Sequence, residues 1–555
     1  MGHGKTEQRE RGLEPTEQMI PMRDGVRLQT FLFVPDGAEA RPALLARCMY
    51  GTTSQNGKAE RLVEAGYAVA LQNVRGRLGS EGELPGRSST PEDGYDTIEW
   101  LTQQPWCNGK IGTFGASALG RVQTATAFLA HPSHRAMCPQ VLPFGLMSRL
   151  GGALMVHQPP MWLYYAQSGA ELVPYDEVDW MPHLSKLPVV DILNELGGPI
   201  EMYRDIVTHL RGYFDLAGAG QFAKLHTPNL MVTGWYDHCS TGPIDFFALT
   251  QQYGSRFQKE NTHLVIGPWD HSCDPAVIAE YDFGPSAKRD HFAAELAFFE
   301  RHLKDADARL PAPVRIFVMG RNEWRDETAW PLERAVETAY YIRTGGVLSD
   351  DPPGEEPPEE FTYDPANPVP TIGGANSSPA RVLPMRRGPR DQRPVLDRDD
   401  VLLYQTRPLE APLEVTGPIR MVLFAASSAV DTDFTAKLMD IAPDGDARLL
   451  CDGVIRARFR NGIDSPRLLT PGEVVRYEID LWSTSNEFQP GHRIAVAVSS
   501  SNFPRIDRNL NTGGDNVRDS KFVTARQTIY HDTARASHLL LPIVRAERSE
   551  SYNSL

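Results

Sequence analysis

Three short apolar runs, Ala43–Tyr50, Ala68–Val74 and Ile111–Phe114, alternate with the amphipathic stretches Gln55–Ala65 and Gly94–Leu101. Apolar strands alternating with helical patterns predict a parallel sheet of α/β type. Ahead of them, residues 1–18 read as a loose polar arm, and MRDGVRL (22–28) as a turn between two extended segments. From 145 to 226 the pattern changes: MSRLGGALMVHQPPMWLYYAQSG and VVDILNELGGPIEMYRDIVTHLRGYF are helical, rich in aromatics and Met, and lack strand alternation. This stretch predicts a helical cap inserted into the α/β core. The core pattern resumes with strands Asn229–Trp235, His263–Gly267 and Pro313–Met319 and a helix over Arg289–Lys304.

Beyond about 335 the chain reads as all-β. DDPPGEEPPEE (350–360) can form neither a helix nor a central strand and predicts a loop. After it, Ile419/Met421/Leu423, Phe434/Ala436/Leu438, Ile455/Ala457/Phe459 and Ile494/Val496/Val498 alternate with period two, separated by Pro- and Gly-rich turns. A jelly-roll β-sandwich is the simplest fold for that pattern. The expected domains are therefore an α/β core from 1–144 and 227–334, a cap from 145–226 and a jelly roll from 335–555.

Net charge is −15, which argues against nucleic acid or an anionic membrane as a main partner. The N-terminus has no apolar leader, and no apolar run approaches the roughly 20 residues of a membrane span. Six Cys are scattered without CxxC or framework spacing, as expected of buried thiols in a reducing compartment. A cytoplasmic protein is the expectation.

The chemistry concentrates at Lys110–Leu129, KIGTFGASALGRVQTATAFL: a strand, a turn of small residues holding Ser117, then a helix. This is the pattern of a nucleophile elbow, although the second Gly stands at +3 rather than +2 from the Ser. A Ser hydroxyl needs a base to take its proton and a carboxylate to orient that base. Strand Asn229–Trp235 runs into Asp237 and strand His263–Gly267 into His271, which gives the order Ser117, Asp237, His271 at three strand ends. His238 reads as an ordinary loop residue. Asp237-His238-Cys239 and Asp270-His271-Ser272-Cys273 also offer N, S and O metal ligands, but without i, i+4 His spacing or CxxC. No metal or organic cofactor is expected. An oxyanion hole requires two donors: the N–H of Ala118 follows the nucleophile, and Tyr50, at the end of its strand, offers a phenol O–H.

These segments resemble the serine hydrolase family of cocaine esterase, the α-amino acid ester hydrolases, glutaryl-cephalosporin acylase and X-Pro dipeptidyl-peptidase. The matching stretches include NVRGRLGSEGE (73–83), QPWCNGKIGTFGASALG (104–120), TGWYD (233–237), IGPWDHS (266–272), SSAVDTDFTAKLMDIAPDG (427–445) and SSSNFPRIDRNLNTGG (499–514). The resemblance implies an α/β-hydrolase core, a cap and a C-terminal jelly roll. It implies Ser117 as nucleophile, Asp237 and His271 as its partners, and Tyr50 with the Ala118 N–H as the oxyanion hole. The family usually has Tyr where this chain has Ala118, so one pocket wall is smaller.

Trp162, Tyr164 and Tyr165 of the cap and Cys239 are the expected pocket-lining residues. Glu171, Asp176, Glu177 and Asp179 are the cap carboxylates that could hold a substrate ammonium, or simply form a solvated face. The expected activity is hydrolysis of a small-molecule carboxylic ester, or of an amide, through an acyl-enzyme. An acyltransferase or a β-lactam-type acylase uses the same residues, and a dipeptidyl-peptidase or a ligand-binding protein with a relic core are further alternatives. A homo-oligomer is compatible with the sequence.

Overall fold

The computed structural model describes residues 14–37, 39–84, 91–145, 148–167, 174–209, 218–273, 275–377 and 385–545. The core is a ten-stranded sheet. In chain order its strands are β1 (Thr16–Pro21), β2 (Arg27–Phe33), β3 (Arg41–Cys48), β4 (Ala68–Asn73) and β5 (Cys107–Ala116). Then come β6 (His134–Gln140), β7 (Asn229–Gly234), β8 (Thr262–Gly267), β9 (Val314–Val318) and β10 (Glu323–Glu327). The spatial order is β1-β2-β4-β3-β5-β6-β7-β8-β9-β10. From β4 to β9 neighbouring strands run parallel, so their carboxyl ends share one edge.

Both faces of this sheet are covered. Helix α1 (Asn56–Glu64) follows β3, α2 (Pro91–Thr102) precedes β5 and α3 (Ala118–Ala127) follows it. Along β3, Ala43 and Leu45 pack with Ile98 and Leu101 of α2. Leu44 and Ala46 belong to the larger core that holds Phe298 and Phe299 of helix His291–Leu303. Alternate residues of one strand thus feed two apolar layers, which is why β3, β4, β7 and β8 are buried almost throughout.

Residues 148–209 carry the cap: α4 (Gln158–Gln167) and helices Trp180–Leu184 and Ile200–Thr208, with 3₁₀ turns between them. Its apolar centre holds Leu163, Tyr164, Trp180, Ile192 and Tyr203, and is completed by Met385, Phe503 and Val517 from the C-terminal half. Backbone bonds also cross there, Asp507 N–H to the Leu154 carbonyl (2.8 Å) and Val190 N–H to that of Val517 (3.1 Å).

The C-terminal half is the β jelly roll, eleven strands from Ala335–Arg343 to His538–Val544, nearly all paired antiparallel. Its longest pairing joins Leu413–Ser427 to Val475–Phe488, with an irregularity between Pro418 and Arg420. Residues 457–459, expected within a strand, form a 3₁₀ turn, because the strand Ala447–Arg456 ends where Ala457 N–H bonds the Thr432 carbonyl. The jelly roll is stitched to the core where Met319, after β9, exchanges backbone hydrogen bonds with Ser485 and Glu487 (3.0 and 2.8 Å).

Candidate active site

Ser117 sits between β5 and α3 at φ 58°, ψ −123°, a backbone conformation that a side chain makes costly. The turn closes because position 115 carries no Cβ: one placed there would lie 2.5 Å from Leu119 Cβ. Ser117 N–H bonds the Gln140 carbonyl of β6 (2.9 Å), and Ser117 C=O accepts from Arg121 N–H of α3 (3.1 Å). Ala118 is the first residue of α3, so its N–H has no carbonyl four residues back to bond within the helix.

Asp237 and His271 meet because the loops after β7 and β8 are joined backbone to backbone. Trp235 N–H bonds the Gly267 carbonyl and Tyr236 N–H that of Trp269, both at 2.9 Å. This approach requires glycine at 234, where a Cβ would lie 2.2 Å from the Trp269 carbonyl oxygen. Asp237 is fully buried. Its Oδ1 accepts from His271 Nδ1–H (2.7 Å) and Cys239 N–H (3.0 Å), and its Oδ2 from the Thr233 hydroxyl (3.1 Å). Burial pushes the carboxyl pKa up, but the His271 charge and these donors outweigh it and hold it below the usual range. With Nδ1 committed to Asp237, Nε2 of His271 is the nitrogen left to exchange a proton. Ser117, Asp237 and His271 all stand at the carboxyl edge of the sheet; among the described residues no hydrogen bond joins Ser117 Oγ to His271.

The same edge supplies Tyr50, two residues beyond β3. Its hydroxyl accepts a hydrogen bond from Trp162 Nε1–H of α4 (2.7 Å), its ring centroid is 5.4 Å from that of Tyr165, and Arg77 Nε–H holds the preceding Met49 carbonyl (3.0 Å). Burial pushes the phenol up to about 12.

Comparisons with known proteins find relatives for both halves of the chain. Residues 24–273 match the family model of the X-Pro dipeptidyl-peptidase (S15 family), and residues 307–540 match that of the X-Pro dipeptidyl-peptidase C-terminal non-catalytic domain. Cocaine esterase of Rhodococcus sp. (strain MB1 Bresler) is 36% identical, over 95% of this chain and 98% of that one. The chain belongs to this S15 family of serine hydrolases. Two solved structures superpose over nearly their whole length. An aminopeptidase from a marine-sediment Thaumarchaeota archaeon gives a TM-score of 0.84 at 25% identity, covering 98% of this chain and 99% of that one. An α-amino acid ester hydrolase gives 0.82 at 27%, covering 95% and 96%.

Within this S15 fold the other expected residues divide. Trp162 and Tyr165 lie one helical turn apart on α4 and both reach Tyr50. Tyr164 does not: its position on the helix turns it into the cap, fully buried and edge-on to Trp180 (5.4 Å), so its expected place in the pocket is corrected to the cap core. Cys239 is buried in the loop after β7, near Tyr50. Asp176, Glu177 and Asp179 are exposed, as a solvated face would be, and Glu171 lies outside the described residues.

His238 lies in the loop after β7, as expected, but inside the site. It is buried, its ring centroid is 4.3 Å from that of His271, and its Nδ1 is 3.4 Å from Asp237 Oδ1. Burial first, and the His271 charge second, hold it well below the ordinary imidazole range, so it is neutral. Nothing in the sequence except its adjacency to Asp237 signals this. Asp237, His238, Cys239 and His271 bring possible metal-ligand atoms within 4.8 Å of one another. The Asp237 oxygens are engaged by three donors and burial keeps the Cys239 thiol protonated, so this donor set suits proton transfer better than cation binding.

Proposed function

We propose that this serine hydrolase cleaves carboxylic esters of small, partly apolar molecules through an acyl-enzyme on Ser117. The observation that carries the reading is the 2.7 Å bond from His271 Nδ1–H to the buried Asp237, which fixes the tautomer and leaves Nε2 as base. Ser117 Oγ attacks the ester carbonyl carbon as His271 Nε2 takes its proton. The carbonyl oxygen becomes an oxyanion, received by Ala118 N–H and the Tyr50 hydroxyl. Burial keeps Tyr50 protonated, and hence a donor, throughout the neutral range. Collapse breaks the ester C–O bond, and His271 gives its proton to the departing alcohol. Water then attacks the acyl-serine with His271 again as base, releasing the acid and restoring Ser117.

Two exposed apolar side chains support an apolar substrate group. Tyr165 (52% exposed) leans on Tyr50, and Leu78 (66% exposed) lies over Gly51 beside it. The test compares p-nitrophenyl esters of increasing acyl length with matching anilides, using wild type and Ser117→Ala. The expected result is ester turnover in the wild type, reduced in the variant by on the order of 10⁶-fold. A fluorophosphonate should add one label per chain, on Ser117. Ester turnover that survives Ser117→Ala, or a label elsewhere, would sink the reading. Faster cleavage of anilides than of esters would make the enzyme an amidase.

A further inference from the structure

The hydrogen bond between Trp162 and Tyr50 crosses from the cap to the core, and donor–acceptor counting gives it a direction. An indole N–H can only donate, whereas a phenol has one proton to give and lone pairs to accept with. At 2.7 Å the Tyr50 oxygen must therefore be the acceptor, and its own proton is turned elsewhere. Among the described residues no acceptor takes that proton. The Tyr165 ring, 5.4 Å away and one turn along α4 from Trp162, braces the phenol from the cap side. Arg77 braces the backbone beneath it through the Met49 carbonyl.

We infer that Trp162 is a positioning residue for the oxyanion hole: its N–H fixes the Tyr50 hydroxyl rotor with the proton toward the reacting carbonyl and makes that hydroxyl a stronger donor. A hydrogen bond received on the oxygen draws electron density from the O–H, so the two bonds reinforce each other. The same N–H favours negative charge on the Tyr50 oxygen, opposing the burial that raises its pKa. Because Trp162 belongs to α4, the hole is complete only when the cap is seated. The inference rests on Tyr50 being an oxyanion donor.

The test is a double-mutant cycle on a p-nitrophenyl ester, with Trp162→Phe, Tyr50→Phe and both together. Tyr50→Phe should lower kcat by about 10²–10³-fold, as loss of one oxyanion donor does. Trp162→Phe should lower kcat by roughly tenfold with KM within a factor of two, and add nothing in the Tyr50→Phe background. Replacing Trp162 by benzothienylalanine, which keeps the ring shape and lacks the N–H, should reproduce the Trp162→Phe loss without disturbing the cap. If Tyr50→Phe keeps full kcat, the oxyanion assignment itself is wrong. If Tyr50→Phe collapses kcat while the Trp162 effects are absent, additive or confined to KM, Trp162 is a wall of the pocket and the inference alone is overturned. Full activity of the benzothienylalanine enzyme would overturn it equally.

Discussion

Ser117 is held at a φ of 58°, and its strain is the residue-scale cost of presenting the hydroxyl at the sheet edge. Glycine relieves that strain and alanine does not, so Ser117→Gly should unfold about 1 kcal/mol later than Ser117→Ala. Thermal scans of the two inactive variants check this, and equal midpoints would mean the elbow is relaxed. Asp237 makes a second prediction. Its pKa is held below the carboxylate range, so the carboxylate adds no proton of its own to the acid limb. The plot of log kcat/KM against pH should fall with unit slope; a slope of two would show the carboxylate titrating as well. The same depression stabilises the fold above the unfolded carboxylate value of about 3.9, and this is lost as pH falls through the lower folded value. At this scale the sequence was informative where chemistry and position coincide. Ser117, Asp237 and His271 each follow an apolar strand in the expected order. Tyr164 was misplaced, and the burial of His238 against His271 missed, because facing is decided by packing, which neither the run Trp162-Leu163-Tyr164-Tyr165 nor two adjacent polar residues encode.

At the scale of elements, the decisive feature is the backbone seam between the loops after β7 and β8. It makes Asp237 and His271 one unit. Gly234→Ala puts a methyl group where the Trp269 carbonyl stands, so the seam must open and the imidazole loses its orientation. The expected loss in kcat is on the order of 10²-fold, the cost of a misplacement of about 1 Å. Kinetics and the rate of fluorophosphonate labelling should fall together; a normal labelling rate would contradict the coupling. The strands beside this seam were legible because they are continuous apolar runs. β6 and β10 were not: HRAMCPQ and EWRDE are broken by polar residues that find partners only in the folded sheet. His134 of β6 bonds the Thr113 hydroxyl (2.9 Å), and Arg325 of β10 pairs with Glu327 and with Glu414 of the jelly roll (each 2.6 Å).

In the whole molecule the jelly roll reaches both the candidate active site and the cap. Arg387 pairs with Asp270 (2.7 Å), directly before His271, and Met385, Phe503 and Val517 close the cap's apolar centre. Truncating Phe503 to Ala should loosen the cap by about 3 kcal/mol, the cost of removing a buried ring. Inactivation should then occur at a lower temperature, and KM should rise before the core unfolds. An unchanged inactivation temperature and KM would show that the cap stands by itself. The three layers were readable from periodicity; their mutual grip was not, because it joins residues more than a hundred positions apart, as Asp270 to Arg387 and Leu154 to Asp507.

That shared apolar centre has a consequence for engineering. A cap grafted from a relative at its two chain junctions alone would arrive with its underside cut for other loops, and Phe503, Val517 and Met385 would meet mismatched partners. Exchanging substrate preference between members of this family therefore calls for a composite graft, cap and jelly-roll loops moved as one block.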